Sequence, residues 1–382
     1  MTITYELVEG WVQAGASESQ TLEFKAILPP GNPESKQEFL KDVSAMANSE
    51  GGTIVYGVSE QAGQASNVLP IVGEIADAVK RRLGQMAQSG IEPRIPRLDF
   101  HVLEVPNGGF VLAVVVARSF VGPHRVSSNN TFYLRSASHI AQFSYSQLRD
   151  AFTLRSHAED RMRQWRATRL ALIKGGRTPR PLLRESRYVI HVQPLASFAG
   201  DIAVDVTMLE NQGGKLLFGR LSSYGTYFNL DGLVAASYFS EKEDNKYVQL
   251  FRNGALETAG FIGLTMDDRK IIPADFIASE LRSALDVQLT TLISLGISGP
   301  VAIAVTWLSV QNYSLGISNH HMPATDRDDL ELPEIVAESI VQLSQDVDVI
   351  AKPILDTLWQ CFGQATCPLY DKDGRWKLPG QY

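Results

Sequence analysis

Glu18, Glu23 and Glu60 are the acids in this chain that could gather around a hard cation, and all lie in ESQTLEFKAILPPGNPESKQEFLKDVSAMANSEGGTIVYGVSE (18–60). Carboxylate oxygens suit Mg²⁺ or Mn²⁺. Beside a phosphate, such a metal activates water and neutralises charge on the displaced oxygen. Lys25 shares a strand face with Glu23 and is placed to hold a phosphate or orient a carboxylate. The spacing sets a condition. Residues five apart lie on opposite faces of a straight strand and about 140° apart on a helix, so Glu18 and Glu23 meet only if the chain bends near Ser19-Gln20. The alternative reading is three solvated acids at a strand entrance, the ordinary condition of Glu.

The elements that must position these acids follow from local pattern. Leu7, Trp11 and Val12 share one face of an opening helix that ends by Gly15. Over Thr21–Leu28, Leu22, Phe24 and Ala26 alternate with Glu23 and Lys25, which predicts a half-buried strand. Asn32 then caps a helix with Pro33 at its first position, and Phe39, Val43 and Met46 form its apolar face. Gly51-Gly52 stops that helix and leads into Thr53–Val58, whose β-branched run predicts a central strand. A further helix is expected around Ile71–Met86. FHVLEV and FVLAVVVA joined by Pro106-Asn107-Gly108-Gly109 form a hairpin, and TFYLR (131–135) another strand. Ser144 with Gln147 makes a capping box for a helix from Tyr145 to Leu172.

That helix and its successor hold Arg155, Arg161, Arg163, Arg166, Arg169, Lys174, Arg177, Arg180, Arg184 and Arg187. Trp165 among these arginines offers a stacking surface inside a phosphate-binding stripe; the other reading is a solvated charged face. Arg94, Arg97, His124, Arg125 and Arg135 would extend such a patch if they shared its face. Gly175-Gly176, Pro179 and Pro181 read as a linker, giving domains at 1–175 and 183–382. The second domain begins with strands (RYVIHVQP, KLLFGRL, YVQLFRNG, LETAGFIGL). It continues with a helix over 274–295, a strand over 300–309 and a last helix from about Ile335 or Val347 to Phe362, an α+β order.

Composition bounds the answer. The 382 residues suit two domains, and the 44% hydrophobic content suits buried cores. A net charge of −7 argues against a generally basic nucleic-acid coat and asks for a segregated basic face instead. Cys361 and Cys367 fit neither a disulfide framework nor a zinc site. No run reaches the roughly 18 apolar residues of a membrane span, so a cytoplasmic protein without membrane contact is expected. No Walker-type loop occurs, and an ATP site is unsupported.

ESQTLEFK, with a helix ending in SAMANSEGG and the strand TIVYGV, resembles the AlbA-like domain of the Schlafen family. Its pattern pairs E-S-x-x-x-E-F-K with A-x-A-N-x-x-G-G-x-[apolar]-x-x-G-V. FYLRS (132–136) is also in keeping, and the likeness covers about residues 11–150. The resemblance implies an α/β N-terminal domain followed here by the α+β domain. It also implies a Mg²⁺- or Mn²⁺-dependent endoribonuclease acting on tRNA or other structured RNA, in a setting such as phage defence. Glu18 and Glu23 match the motif's acids, with Lys25 beside them. Nuclease members commonly carry Asp directly after the G-V pair, where this chain has Ser59-Glu60. The alternative within the resemblance is a non-catalytic DNA- or RNA-binding regulator. One such lobe per chain implies a homodimer.

Overall fold

The computed structural model describes residues 3–377, apart from 107, 138, 184, 200, 201, 210–224, 239–243, 267, 298, 318 and 319. It divides into two compact units, Met1–Ser156 and His157–Tyr382.

In the first unit α1 (Tyr5–Gln13) precedes β1 (Leu22–Lys25), α2 (Pro33–Ala47), β2 (Gly52–Tyr56) and the hairpin β3 (Val58–Gln61) and β4 (Gln64–Val68). Then come α3 (Ala76–Gly90), β5 (Ile91–Glu92), β6 (Leu98–Glu104), β7 (Phe110–Val116), β8 (Arg125–Val126), β9 (Thr131–Ser136), β10 (His139–Gln142) and the long α4 (Tyr145–Lys174). One sheet runs β1-β2-β7-β6 and another β10-β9-β8-β5. β2 is central, parallel to β1 and antiparallel to β7. Its side chains alternate between two apolar clusters, Ile54 and Tyr56 in one and Val55 in the other.

Local chemistry explains the corners. The Asn32 side chain accepts from Ser35 N–H at 2.8 Å, and Pro33 fills the first helical position without needing a donor. At the far end of α2, Gly51 takes φ +76°, and a Cβ there would stand 2.7 Å from Arg118 N and Val116 O. A Cβ on Gly52 would meet Thr21 O at 2.7 Å. The glycine pair is thus a helix stop and a tight entry into the sheet. Ser144 and Gln147 form the reciprocal cap of α4, at 3.0 and 3.3 Å.

Two expectations need correction. β1 is covered on both faces: Phe24 packs edge-on to Trp11, while Glu23 is only 8% exposed. Ion pairs of Glu23 with Lys25 and Arg135, and of Lys25 with Glu38 and Asp42 on α2, replace water on the polar face. The expected boundary at 175–183 also moves, because the division falls inside α4, between Ser156 and His157. Leu170 and Ile173 of that helix pack with Val189, Tyr247 and Ala259, so its C-terminal half is a layer of the second unit.

The second unit continues with β11 (Arg187–Pro194), α5 (Leu195–Ala199), β12 (Gly225–Phe228), β13 (Gly232–Tyr238), β14 (Asp244–Phe251) and β15 (Leu256–Phe261). Later come β16 (Leu264–Met266), β17 (Arg269–Pro273), α6 (Ala274–Ser294), β18 (Val301–Leu308), β19 (Ser314–Ile317), β20 (His320–His321), β21 (Leu330–Glu331), β22 (Ile335–Ala337), α7 (Ile340–Gln345) and α8 (Asp348–Gln360). Its large sheet runs β12-β13-β14-β15-β11-β18-β21, with β22 also on β18. Every residue of β11 and β18 is buried. Tyr188, Ile190 and Val192 face Ile277, Leu281 and Leu285 of α6 with α8 alongside, and Val189 faces α4. The predicted strand KLLFGRL lies outside the described residues, and the segment at 335–345 is a short strand and a short helix before α8. No helix among the described residues is long and apolar enough to cross a membrane.

Candidate functional site

The bend that Glu18 and Glu23 require is present. Ser19 N–H donates to Leu22 O at 3.0 Å, and Thr21 N–H to Ser19 Oγ at 3.2 Å, closing a turn over Gln20-Thr21. Glu18 folds back across it, its Oε1 accepting from Phe24 N–H at 2.9 Å. Partial burial raises the Glu18 pKa; the Phe24 N–H opposes this, and the negative charges of Glu23 and Glu60 add to it. Glu18 therefore lies within the field of both other acids. Glu60 is exposed on β3, just past a register shift between Ser59 and Glu60.

Glu23 is enclosed by cations. One oxygen lies 3.1 Å from Lys25 Nζ and the other is paired with the fully buried guanidinium of Arg135. Arg135 reaches in from β9, donating from Nε to Ser19 O at 2.9 Å and from Nη2 to Leu22 O at 3.3 Å. It thereby fastens the turn that carries the acids. Lys25 also meets Glu38 at 3.1 Å and Asp42 at 3.4 Å, both on α2. Burial works against the Lys25 charge, but Asp42 and Glu23 outweigh it and hold its pKa above the ordinary lysine value. Burial pushes Asp42 the other way, up to about 6, with Lys25 restraining the rise.

This arrangement does not fit Mg²⁺ or Mn²⁺. Among the described residues no three carboxylate, imidazole or thiolate groups are placed to hold a metal ion. Both Glu23 oxygens already face cations, and one Glu18 oxygen faces a backbone N–H. A divalent ion would have to compete with Lys25 and Arg135 for the same carboxylate.

The Asn-Ser of SAMANSEGG is structural. Asn48 Nδ2 donates to His124 O at 2.8 Å and to Tyr133 O at 2.9 Å, while its Oδ1 accepts from His124 N–H at 2.7 Å. Ser49 Oγ accepts from Arg135 N–H at 2.8 Å. His124 is itself buried, and burial lowers its pKa, so it adds no charge to a basic patch. Asp42 is absent from the motif, its available signal being an acid bordering the apolar face of Phe39, Val43 and Met46 on α2; Arg135 lies in FYLRS, but as the partner of Glu23 rather than as part of a basic patch.

The predicted phosphate stripe on α4 comes apart in the structure. Arg155 lies in the first unit, half-buried in a small cleft with Arg118 and Phe143. Arg161 and Arg163 are exposed, Arg163 tied to Glu159 and Asp160 at 3.4 and 3.3 Å. Trp165 is not a free stacking surface: it meets His191, Phe198 and Phe251 edge-on at 4.9 to 5.6 Å. Arg166 pairs with Glu334, and Lys174 with Asp328 and Asp329 at 2.7 and 2.6 Å. Arg169 is buried and grips Glu257 with two bonds of 2.8 Å. His191 Nε2 at 3.0 Å and Tyr247 Oη at 2.8 Å complete the Glu257 shell. The helical period, not the charge count, decides: positions 162, 165, 166, 169, 170 and 173 turn toward the sheet.

Residues 18–144 match the family model described as Schlafen, AlbA_2. No curated protein matches the chain. Among solved structures, the chain is similar to the DIP2311 protein from Corynebacterium diphtheriae at 20% identity, over 39% of this chain and 31% of that one, with a TM-score of 0.28. It is also similar to the N-terminal domain of an ATP-dependent DNA helicase RecG-related protein from Nitrosomonas europaea, at 22% identity over 31% and 75% of the two chains, with a TM-score of 0.25. The chain spans less than a third of the length of the Corynebacterium protein. With the two sequence motifs and the family model in agreement, the segment 18–144 is a Schlafen AlbA_2 domain.

Proposed function

We propose that the first unit binds nucleic acid through unpaired bases, without a metal-dependent cleavage step. The observation that carries this reading is an exposed stripe on the first two turns of α4. Tyr145 is 83% and Phe152 58% exposed. Arg149 stands between them with its side chain 64% exposed, beside Asp150 at 3.0 Å. Spacings of i, i+4 and i+7 put all three on one helix face. Phe152 is steadied edge-on by Phe132 at 5.8 Å. Large rings alternating with a guanidinium suit stacked bases and their phosphates, and the family of the domain supports the same partner.

Fluorescence anisotropy with a labelled single strand, in RNA and DNA forms and against the matching duplex, tests this. Expected is salt-sensitive binding that favours the single strand. Tyr145→Ala and Phe152→Ala should each weaken it by about 1–3 kcal/mol, the worth of one stacked base. Arg149→Ala should flatten the salt dependence by roughly 0.7 in the log–log slope. Affinity unchanged in both aromatic variants would remove the reading.

The competing reading is cleavage of tRNA or another structured RNA with Mg²⁺ or Mn²⁺, as the family resemblance implies. It needs Glu18, Glu23 and Glu60 as ligands, and Lys25 and Arg135 occupy Glu23 instead. Incubating labelled tRNA with Mn²⁺ separates the two. Intact RNA is expected, whereas cleavage abolished by Glu18→Ala would establish the nuclease.

A further inference from the structure

We propose that the cleft between the end of β1 and the start of α2 binds a small aliphatic amine cation. The cleft has a volume of about 340 Å³, within the usual range for small-molecule sites. Ile27, Leu28 and Pro29 form one wall, and Glu34, Glu38 and Asp42 are the acids that line it. Lys25 is the base among its lining residues, and its ammonium is shared with Glu23 as well as with Glu38 and Asp42. Negative charge is therefore in surplus at the cleft.

Two further observations say what kind of ligand answers that surplus. Asp42 is 3% exposed, yet its Oδ2 accepts no hydrogen bond, with Lys25 Nζ standing 3.4 Å away. A buried carboxylate oxygen without a donor is costly, and an incoming N–H would supply one. Ile27 is 73% exposed at the mouth, although it belongs to the apolar wall. A methylene chain lying along it would cover that surface while an ammonium at its end met Glu38 and Asp42. Phosphorylated ligands are repelled by the same acids, so the cleft selects against nucleotides.

The cleft lies in the same domain as the base-stacking stripe but shares no residue with it, and its test is independent of nucleic-acid binding. Isothermal titration of the full chain with 1,4-diaminobutane and spermidine measures it. Butane-1,4-diol serves as the uncharged isostere, ATP as the anion and a short lysine-bearing peptide as the tethered form of the same cation. Saturable one-to-one binding of a free amine is expected, weakened at least tenfold in Asp42→Asn and in Glu38→Gln, with neither the diol nor ATP bound. Glu38 is a surface side chain, 58% exposed, so its variant reports on the cleft even if Asp42→Asn does not fold. Free-amine binding weaker than about 1 mM, an affinity unchanged in Glu38→Gln, or binding of the peptide alone would overturn the proposal.

Discussion

Replacing Glu257 by glutamine should destabilise the second unit by about 3–5 kcal/mol, the cost of leaving a buried charge without its partner. Glu257 is fully buried and receives two bonds of 2.8 Å from Arg169, one of 2.8 Å from Tyr247 and a contact of 3.0 Å with His191. Burial alone would raise its pKa; Arg169 and His191 reverse that and hold it down at about 2. A folded value below the unfolded one contributes stability above the unfolded pKa, and that contribution is lost as pH falls toward the folded value. Roughly 3 kcal/mol should therefore disappear between about pH 4.5 and 2. Urea titrations at neutral and acid pH read both effects. A cycle with Arg169→Met should show coupling of about 2–3 kcal/mol; additive losses would mean that the pair is not the source.

Arg135→Met is the corresponding change in the first unit, with an expected loss again of about 3–5 kcal/mol. Its guanidinium is fully buried, pairs with Glu23 and holds Ser19 O and Leu22 O. Methionine matches the stem but leaves a buried carboxylate and two carbonyls short of donors. Lysine should rescue little, because a single ammonium cannot reproduce the planar fork that spans the turn and Glu23. Thermal unfolding gives the readout, with a fall of roughly 10 °C expected for this unit. A transition within a degree or two of the native one would show that the turn stands without Arg135.

The features legible in the sequence were those fixed locally. Asn32-Pro33, Gly51-Gly52, the Ser144–Gln147 box and the β6–β7 hairpin each depend on residues a few positions apart, and the structure shows all of them. The central place of β2 followed from its largely apolar, β-branched run. Even the turn required between Glu18 and Glu23 is there. What did not follow was the fate of the charges. Arg135 lies more than a hundred residues from the turn it fastens, and no local pattern announces such a pairing. On α4 the arginines cluster along the chain, whereas their angle about the helix axis sends Arg166 and Arg169 inward and leaves Arg161 and Arg163 in water. The metal-site expectation meets a related obstacle, since spacing locates acids but not the cations, here Lys25 and Arg135, that pair with Glu23.

Lys25 carries a last consequence, one of reactivity. Acylating reagents attack the neutral amine, and three carboxylates around the Lys25 ammonium keep that form scarce. Brief treatment with an N-hydroxysuccinimide ester, followed by peptide mass analysis, should leave Lys25 largely unmodified while Lys36 and Lys41 on α2 are labelled. Enzymatic acetylation meets the same barrier, so the residue at the centre of the domain's charge cluster is also a poor target for covalent marking.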